Sequence, residues 1–262
     1  MPLKTPLFLL LGVVALLGVH LAVPVARKHV WKAWAIIGAA MMLLGSWLGL
    51  WGTPPEREMG EVYRILYMHV PQVWMGMLCG GTVAVCSVAY LVKKSWTLDA
   101  LGEASAEVGL LFGSVGVLLG SIWGRPTWGV WWTWDARLTT AAIMLLIFAG
   151  YLALRRFVDD PEKRGLLSAV LGIFAGANVI LVYVSVRIFR TIHQVQSTPE
   201  TVDPLMTMAL RWNATAFLAV MLTFLWWRYR LARGRLEREL ALPHALPAAP
   251  AVSQAAQPGG TA

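Results

Sequence analysis

The stretch Gly165-Leu-Leu-Ser-Ala-Val-Leu-Gly-Ile-Phe-Ala-Gly-Ala-Asn-Val-Ile-Leu-Val-Tyr-Val-Ser-Val186 contains no Asp, Glu, Lys or Arg. A helix crossing roughly 30 Å of hydrocarbon needs about 20 mostly apolar residues and satisfies its own backbone hydrogen bonds. The run therefore predicts a transmembrane helix. Working outward, similar runs cover Leu138 to Leu154, Ser105 to Trp123, Gln72 to Val92 and Val30 to Trp51 upstream, and Leu205 to Trp227 downstream. A seventh, Leu7 to Val25, follows Lys4 like a signal segment, but the small-x-small cleavage pattern around Pro24 and Ala26 is poor, so it is read as a retained span.

The expected fold is all-α: a polytopic membrane bundle of six core transmembrane helices plus one extra N-terminal apolar helix. Residues 1–29 form that helix and a basic turn, 30–230 the core, and 231–262 a tail, first basic and then Ala/Pro-rich and disordered beyond Glu239. Composition agrees, with 58% apolar and 14% charged residues in 262, where soluble domains carry about a quarter charged. A separate soluble domain has no room.

The net charge of +8 would suggest nucleic acid in a soluble protein, but in a membrane protein basic residues set orientation. Arg27, Lys28, Lys32, Lys93, Lys94, Arg155, Arg156, Lys163, Arg164, Arg228, Arg230, Arg233, Arg235 and Arg238 all fall on one side. Arg57, Arg64, Arg125, Arg137, Arg187, Arg190 and Arg211 fall on the other. The first side is expected to be cytoplasmic, with the C-terminus. Cys79 and Cys86, seven residues apart on one helix, cannot pair and read as small buried hydrophobes.

On the outer side lies Trp128-Gly-Val-Trp-Trp-Thr-Trp-Asp135, which holds four of the fourteen Trp. If helical, Trp128, Trp132 and Asp135 share a face; if extended, Trp128, Trp132 and Trp134 do so without Asp135. Either arrangement makes an aromatic platform, which suits a planar apolar ligand or an interfacial belt. His20, His29 and His244 lie in the N-terminal run, an inner loop and the tail, so His69 and His193 are the two outer histidines. His69 stands just before Pro71, which suits the first turn of the next span; His193 follows another span.

Two imidazoles beside an indole wall match what haem requires: axial nitrogen ligands and an apolar surround. Zinc could recruit Asp135 or Glu61 but has no use for so many indoles. Arg64 and Arg137 are candidates for the propionates, with Asp135, Glu61 or lipid phosphate as their alternative partners. The chain lacks C-x-x-C-H for covalent haem attachment and G-x-x-x-x-G-K-[ST] for ATP.

The run Gly120 to Thr139, with Tyr63 to Pro71, Thr191-Ile-His-Gln194, Asp203-Pro-Leu and Leu210-Arg-Trp212, resembles the Trp-rich (WWD) haem-handling superfamily of cytochrome c maturation, in the branch of cytochrome c maturation protein C (CcmC). The resemblance covers about residues 30 to 230. It implies a non-enzymatic protein of the inner membrane that holds haem b transiently and non-covalently at the outer face. His69 and His193 would be the axial ligands to the haem iron, against Trp128, Gly129, Trp132, Trp134 and Asp135, with Arg64 and Arg137 also at matching positions. It further implies delivery to a periplasmic haem chaperone, beside an ATP-binding cassette membrane complex and a small membrane subunit.

Two other functions compete. A permease subunit moving haem or another small organic solute would carry polar groups deep in its spans, for which Asn178 and Asn213 are among the few candidates. A haem-free assembly subunit would use the Trp-rich face for docking.

Overall fold

The computed structural model describes residues 30–193 and 202–245, so the N-terminal apolar run with His20, the basic turn with His29, and the tail beyond Ala245 lie outside the described residues. The described residues form six α-helices, α1 (Val30–Trp51), α2 (Leu66–Lys93), α3 (Trp96–Trp128), α4 (Ala136–Phe157), α5 (Pro161–Ile188) and α6 (Pro204–Ala245), with a 3₁₀ turn (Glu61–Ile65) leading into α2. The last five are long and apolar enough to cross a membrane; α1 adds the apolar stretch Ala35–Trp51. The protein is an all-helical, multi-pass membrane protein.

The termini obey local chemistry. Asp135 caps α4 by accepting from Leu138 N–H at 2.8 Å, and Asp160 caps α5 by accepting from Lys163 N–H at 2.7 Å, with Pro161 at the first helical position. Lys94, in the left-handed region at φ 49°, ends α2, and its N–H reaches Tyr90 O at 2.8 Å. Only Lys94 and Ser95 separate α2 from α3, which makes the two an antiparallel pair.

That pair is the centre of the bundle. Met75 and Cys79 of α2 and Val108 and Phe112 of α3 pack with Phe217, Leu218 and Met221 of α6. On the other flank, Val83 and Ala106 pack with Met144, Phe148 and Tyr151 of α4 and Ala175 of α5. Both cysteines are free and buried, as expected of apolar fillers. A Cβ on Gly76 would lie 3.2 Å from Gly113 Cα, so the α2–α3 crossing depends on missing side chains.

The helices are longer than the apolar runs. α3 has 33 residues, about 50 Å at ~1.5 Å per residue, and α6 has 42, about 63 Å. Both overshoot a hydrocarbon layer of about 30 Å. Their extra turns meet in an ion-pair network the apolar runs did not reveal. Asp99, Glu103 and Glu107, spaced by four on α3, face arginines of two other helices, α4 and α6. Arg155 of α4 binds Asp99 bidentately, both bonds 2.7 Å, and reaches Glu103 at 2.9 Å. Arg235 of α6 also pairs with Glu103, Arg228 holds Glu107 with one bond of 2.6 Å, and Arg164 of α5 pairs with Glu239.

Two expectations are corrected here. Residues 231–245 are not a tail: α6 runs through them to Ala245, because Ala232 and Leu236 are buried and Arg235 and Glu239 are paired. Arg155 and Arg164 are buried ion-pair partners and not simply loop charges that set orientation.

Candidate functional site

The site stands at the opposite end of the bundle from the ion network, where α2, α4 and α6 begin and α3 and α5 end. Tyr63, Leu66 and Tyr67 pack with Met206 and Ala209 as its floor, and Trp123 leans on them, edge-on to Tyr63 with ring centroids 6.2 Å apart.

His69 lies inside the first turns of α2, and Pro71, also inside the helix, is buried; the helix starts earlier than the apolar pattern suggested. The imidazole leans against α3, and its Nδ1 is 2.8 Å from the carbonyl oxygen of Gly116. A carbonyl only accepts, so Nδ1 carries the proton and Nε2 keeps its lone pair. Trp123 stands edge-on to the ring at 5.7 Å. Gly120 makes room: a Cβ there would lie 2.8 Å from His69 Cε1. Gly116, Gly120 and Trp123, spaced i, i+4, i+7, thus form one face of α3 shaped around His69. That spacing is legible in the sequence, but the ring it surrounds is on another helix.

The Trp-rich stretch is neither all helix nor all strand. Trp128 closes α3, Gly129 turns the chain at φ 78°, and residues 130–135 run irregularly to the cap of α4. The positive φ explains the glycine. Arg125 steadies the turn by donating to the Gly129 carbonyl. Trp132 and Trp134, two residues apart, touch edge-to-face with centroids 5.5 Å apart. Trp131 and Trp134 are 60% and 76% exposed, whereas Trp128 and Trp132 are half-buried, so the loop presents one aromatic pair outward and keeps another within.

His193 lies beyond α5 on irregular backbone, its ring 4.9 Å from that of Trp128. Its Nδ1 is 3.8 Å from Asp135 Oδ2, too far for a hydrogen bond. Among the described residues that buried nitrogen has no partner, and neither do the indole nitrogens of Trp123 and Trp132. Burial, then the Arg137 charge, lower the His193 pKa to about 4, against the opposing pull of Asp135. The imidazole is neutral at pH 7.

Asp135 is not a free acid at the edge of a platform. Its Oδ1 caps α4, and its Oδ2 accepts from the Thr191 hydroxyl and from Ile192 N–H at 3.0 Å. Burial pushes its pKa up, but these bonds outweigh it and hold the carboxyl below the usual range, so the group stays charged. Arg137, one turn into α4, acts electrostatically on both imidazoles. Arg64 is otherwise engaged: it pairs with Glu61 and donates to the carbonyls of Gly49 and Thr53 at 3.1 Å each, bracing the end of α1. His69, His193, Trp128, Asp135 and Arg137 are therefore brought together, while Arg64 faces α1.

The heme exporter protein C (CcmC) family model matches residues 7–242, a longer stretch than the motifs alone cover. The chain belongs to the CcmC family. Among its relatives, heme exporter protein C of Escherichia coli K12 is 32% identical over 201 residues, covering 75% of this chain and 81% of that protein. Heme exporter protein C of Bradyrhizobium diazoefficiens is 36% identical over 172 residues, 64% of this chain and 63% of that protein. A putative cytochrome c biosynthesis ccmC-like mitochondrial protein of Marchantia polymorpha is 34% identical over 151 residues, 58% and 64% of the two chains. The CcmC match includes the N-terminal apolar run from residue 7, so that run falls within the family pattern.

Proposed function

We propose that this chain handles haem in cytochrome c biogenesis, holding haem b non-covalently between His69 and His193 against the Trp-rich loop and passing it to a periplasmic haem chaperone. One observation carries the reading: the His69 imidazole, its Nδ1 turned to a backbone acceptor, stands against Trp123, and the neutral His193 imidazole, its Nδ1 unpartnered, stands against Trp128. Haem held there would be kept by His69 and His193 as nitrogen donors to its iron.

The remaining work belongs to the chain. Gly116 orients His69 through its second nitrogen, as carbonyls do behind metal-bound imidazoles. Trp128 and Trp132 exclude water from the porphyrin face, and Trp131 and Trp134 offer exposed ring surface to the acceptor. Arg137 pairs with one propionate. Arg64 takes the second by exchanging Glu61, whose side chain is 69% exposed and whose pairing is correspondingly weak.

The core carries six spans and the N-terminal run a seventh, in the inner membrane, with the Trp-rich loop on the periplasmic side and the C-terminus in the cytoplasm. ATP hydrolysis belongs to an ATP-binding cassette complex, accompanied by a small membrane subunit; the chain itself is not an enzyme. Presentation is favoured over conduction because the two deep amides bridge helices: Asn178 donates to Thr140 O at 2.9 Å and Asn213 to Gly45 O at 2.8 Å. The amide N–H groups of both are spent within the bundle.

Mixing the haem-loaded, detergent-purified protein with haem-free chaperone tests the reading. Haem is expected to appear on the chaperone, at a rate reduced in Trp131→Ala and Trp134→Ala. Retention of all haem by the membrane protein, with a chaperone competent for free haem, would overturn delivery.

A further inference from the structure

The two histidines are held in different ways. His69 rides on a long helix with its ring pinned to α3. His193 stands on irregular backbone five residues past the end of α5. Among the described residues, the hydrogen bonds of 191–193 all pass through Thr191 or Asp135. The Thr191 hydroxyl donates to Asp135 Oδ2 and accepts from His193 N–H at 3.2 Å, while Asp135 Oδ1 holds the first turn of α4. A single carboxylate and a single hydroxyl fasten the His193 segment to the Trp-rich loop.

We propose that Thr191 is a positioning residue, a latch whose hydroxyl relays Asp135 to the backbone of His193 and so sets where that imidazole stands against Trp128. The chemistry demands a group that donates and accepts at once. A hydroxyl does both, and a methyl of the same shape does neither. The bond to Asp135 is charge-assisted, which makes it the stronger half of the relay. Opening it would remove two of the three bonds that hold 191–193, leaving Ile192 N–H on Asp135 Oδ2 at 3.0 Å, and would touch none of the bonds that hold His69. The consequence for haem rests on the ligand reading above; the latch itself is a property of the haem-free chain.

The test compares Thr191→Val, Thr191→Ala and Thr191→Ser. In the haem-free protein in detergent, backbone hydrogen–deuterium exchange over 189–193 is expected to rise about tenfold in the Val and Ala variants, the scale of one lost charge-assisted bond, and to stay near the parent in Thr191→Ser. Exchange within α2 should not change. In the haem-loaded protein, Val and Ala variants are expected to shift from a six-coordinate low-spin to a high-spin spectrum, with Thr191→Ser restoring the parent spectrum. Unchanged exchange in both Val and Ala overturns the latch. Faster exchange with an unchanged spectrum, where His193→Ala does alter it, overturns the positioning role. An unaltered spectrum in His193→Ala overturns the ligand reading, and the exchange rates still decide the latch by themselves.

Discussion

At the scale of single residues, the site turns on what each imidazole has behind it. His193 is buried near the Arg137 guanidinium, and its pKa falls to about 4 from an ordinary 6.5. In that window the unfolded chain takes up a proton that the folded chain refuses, so stability drops as pH falls from about 6.5 towards 4. An NMR titration of the haem-free protein is expected to place the His193 midpoint well below 6. A midpoint near 6.5 would mean that the ring is solvated. His69 is limited by space: in Gly120→Ala the new methyl would lie 2.8 Å from its Cε1 and push the ring off the Gly116 carbonyl. Haem affinity is expected to fall by about tenfold or more, as when a group behind a metal ligand is removed, measured by haem titration of the stripped protein.

At the scale of the element, apolar run and helix are different objects. The run from Ser105 to Trp123 is the apolar part of α3, but the helix begins at Trp96, because Asp99 and Glu103 share the buried Arg155 of α4. Hydropathy registers that carboxylates are polar; it does not register that they are paired. Their spacing of four was legible, whereas their partners, 56 and 132 residues away, were not. The same limit applies at the site. The Trp cluster and both histidines announced themselves, but Thr191 is an ordinary loop threonine until Asp135 is seen beside it. Removing Arg155 leaves Asp99 and Glu103 without their shared cation, and breaking such a buried pair costs about 3–5 kcal/mol. Arg155→Met is expected to lower unfolding stability in detergent on that scale, with a matching drop in expression. A change under about 1 kcal/mol would mean the network is hydrated and weak.

At the scale of the whole molecule, the protein is polarised between two ends. One end is locked by ion pairs among α3, α4, α5 and α6; the other carries two histidines, exposed indoles and an irregular loop. The buried ion pairs thus lie at the end away from the histidines. The proposed orientation can be checked because Cys79 and Cys86 are buried and free, so a single engineered thiol stands out. With a membrane-impermeant reagent on intact cells stripped of outer membrane, Trp134→Cys is expected to label and Asp159→Cys to label only after lysis; the reverse pattern would invert the topology. The central claim, a haem held by His69 and His193, is tested most directly by the visible spectrum of the purified protein, oxidised and reduced, beside His69→Ala and His193→Ala. A Soret band with low-spin features that weaken or shift in each variant is the expected result. Haem bound with the same spectrum in all three proteins, or no haem even when it is supplied in both redox states, would contradict it.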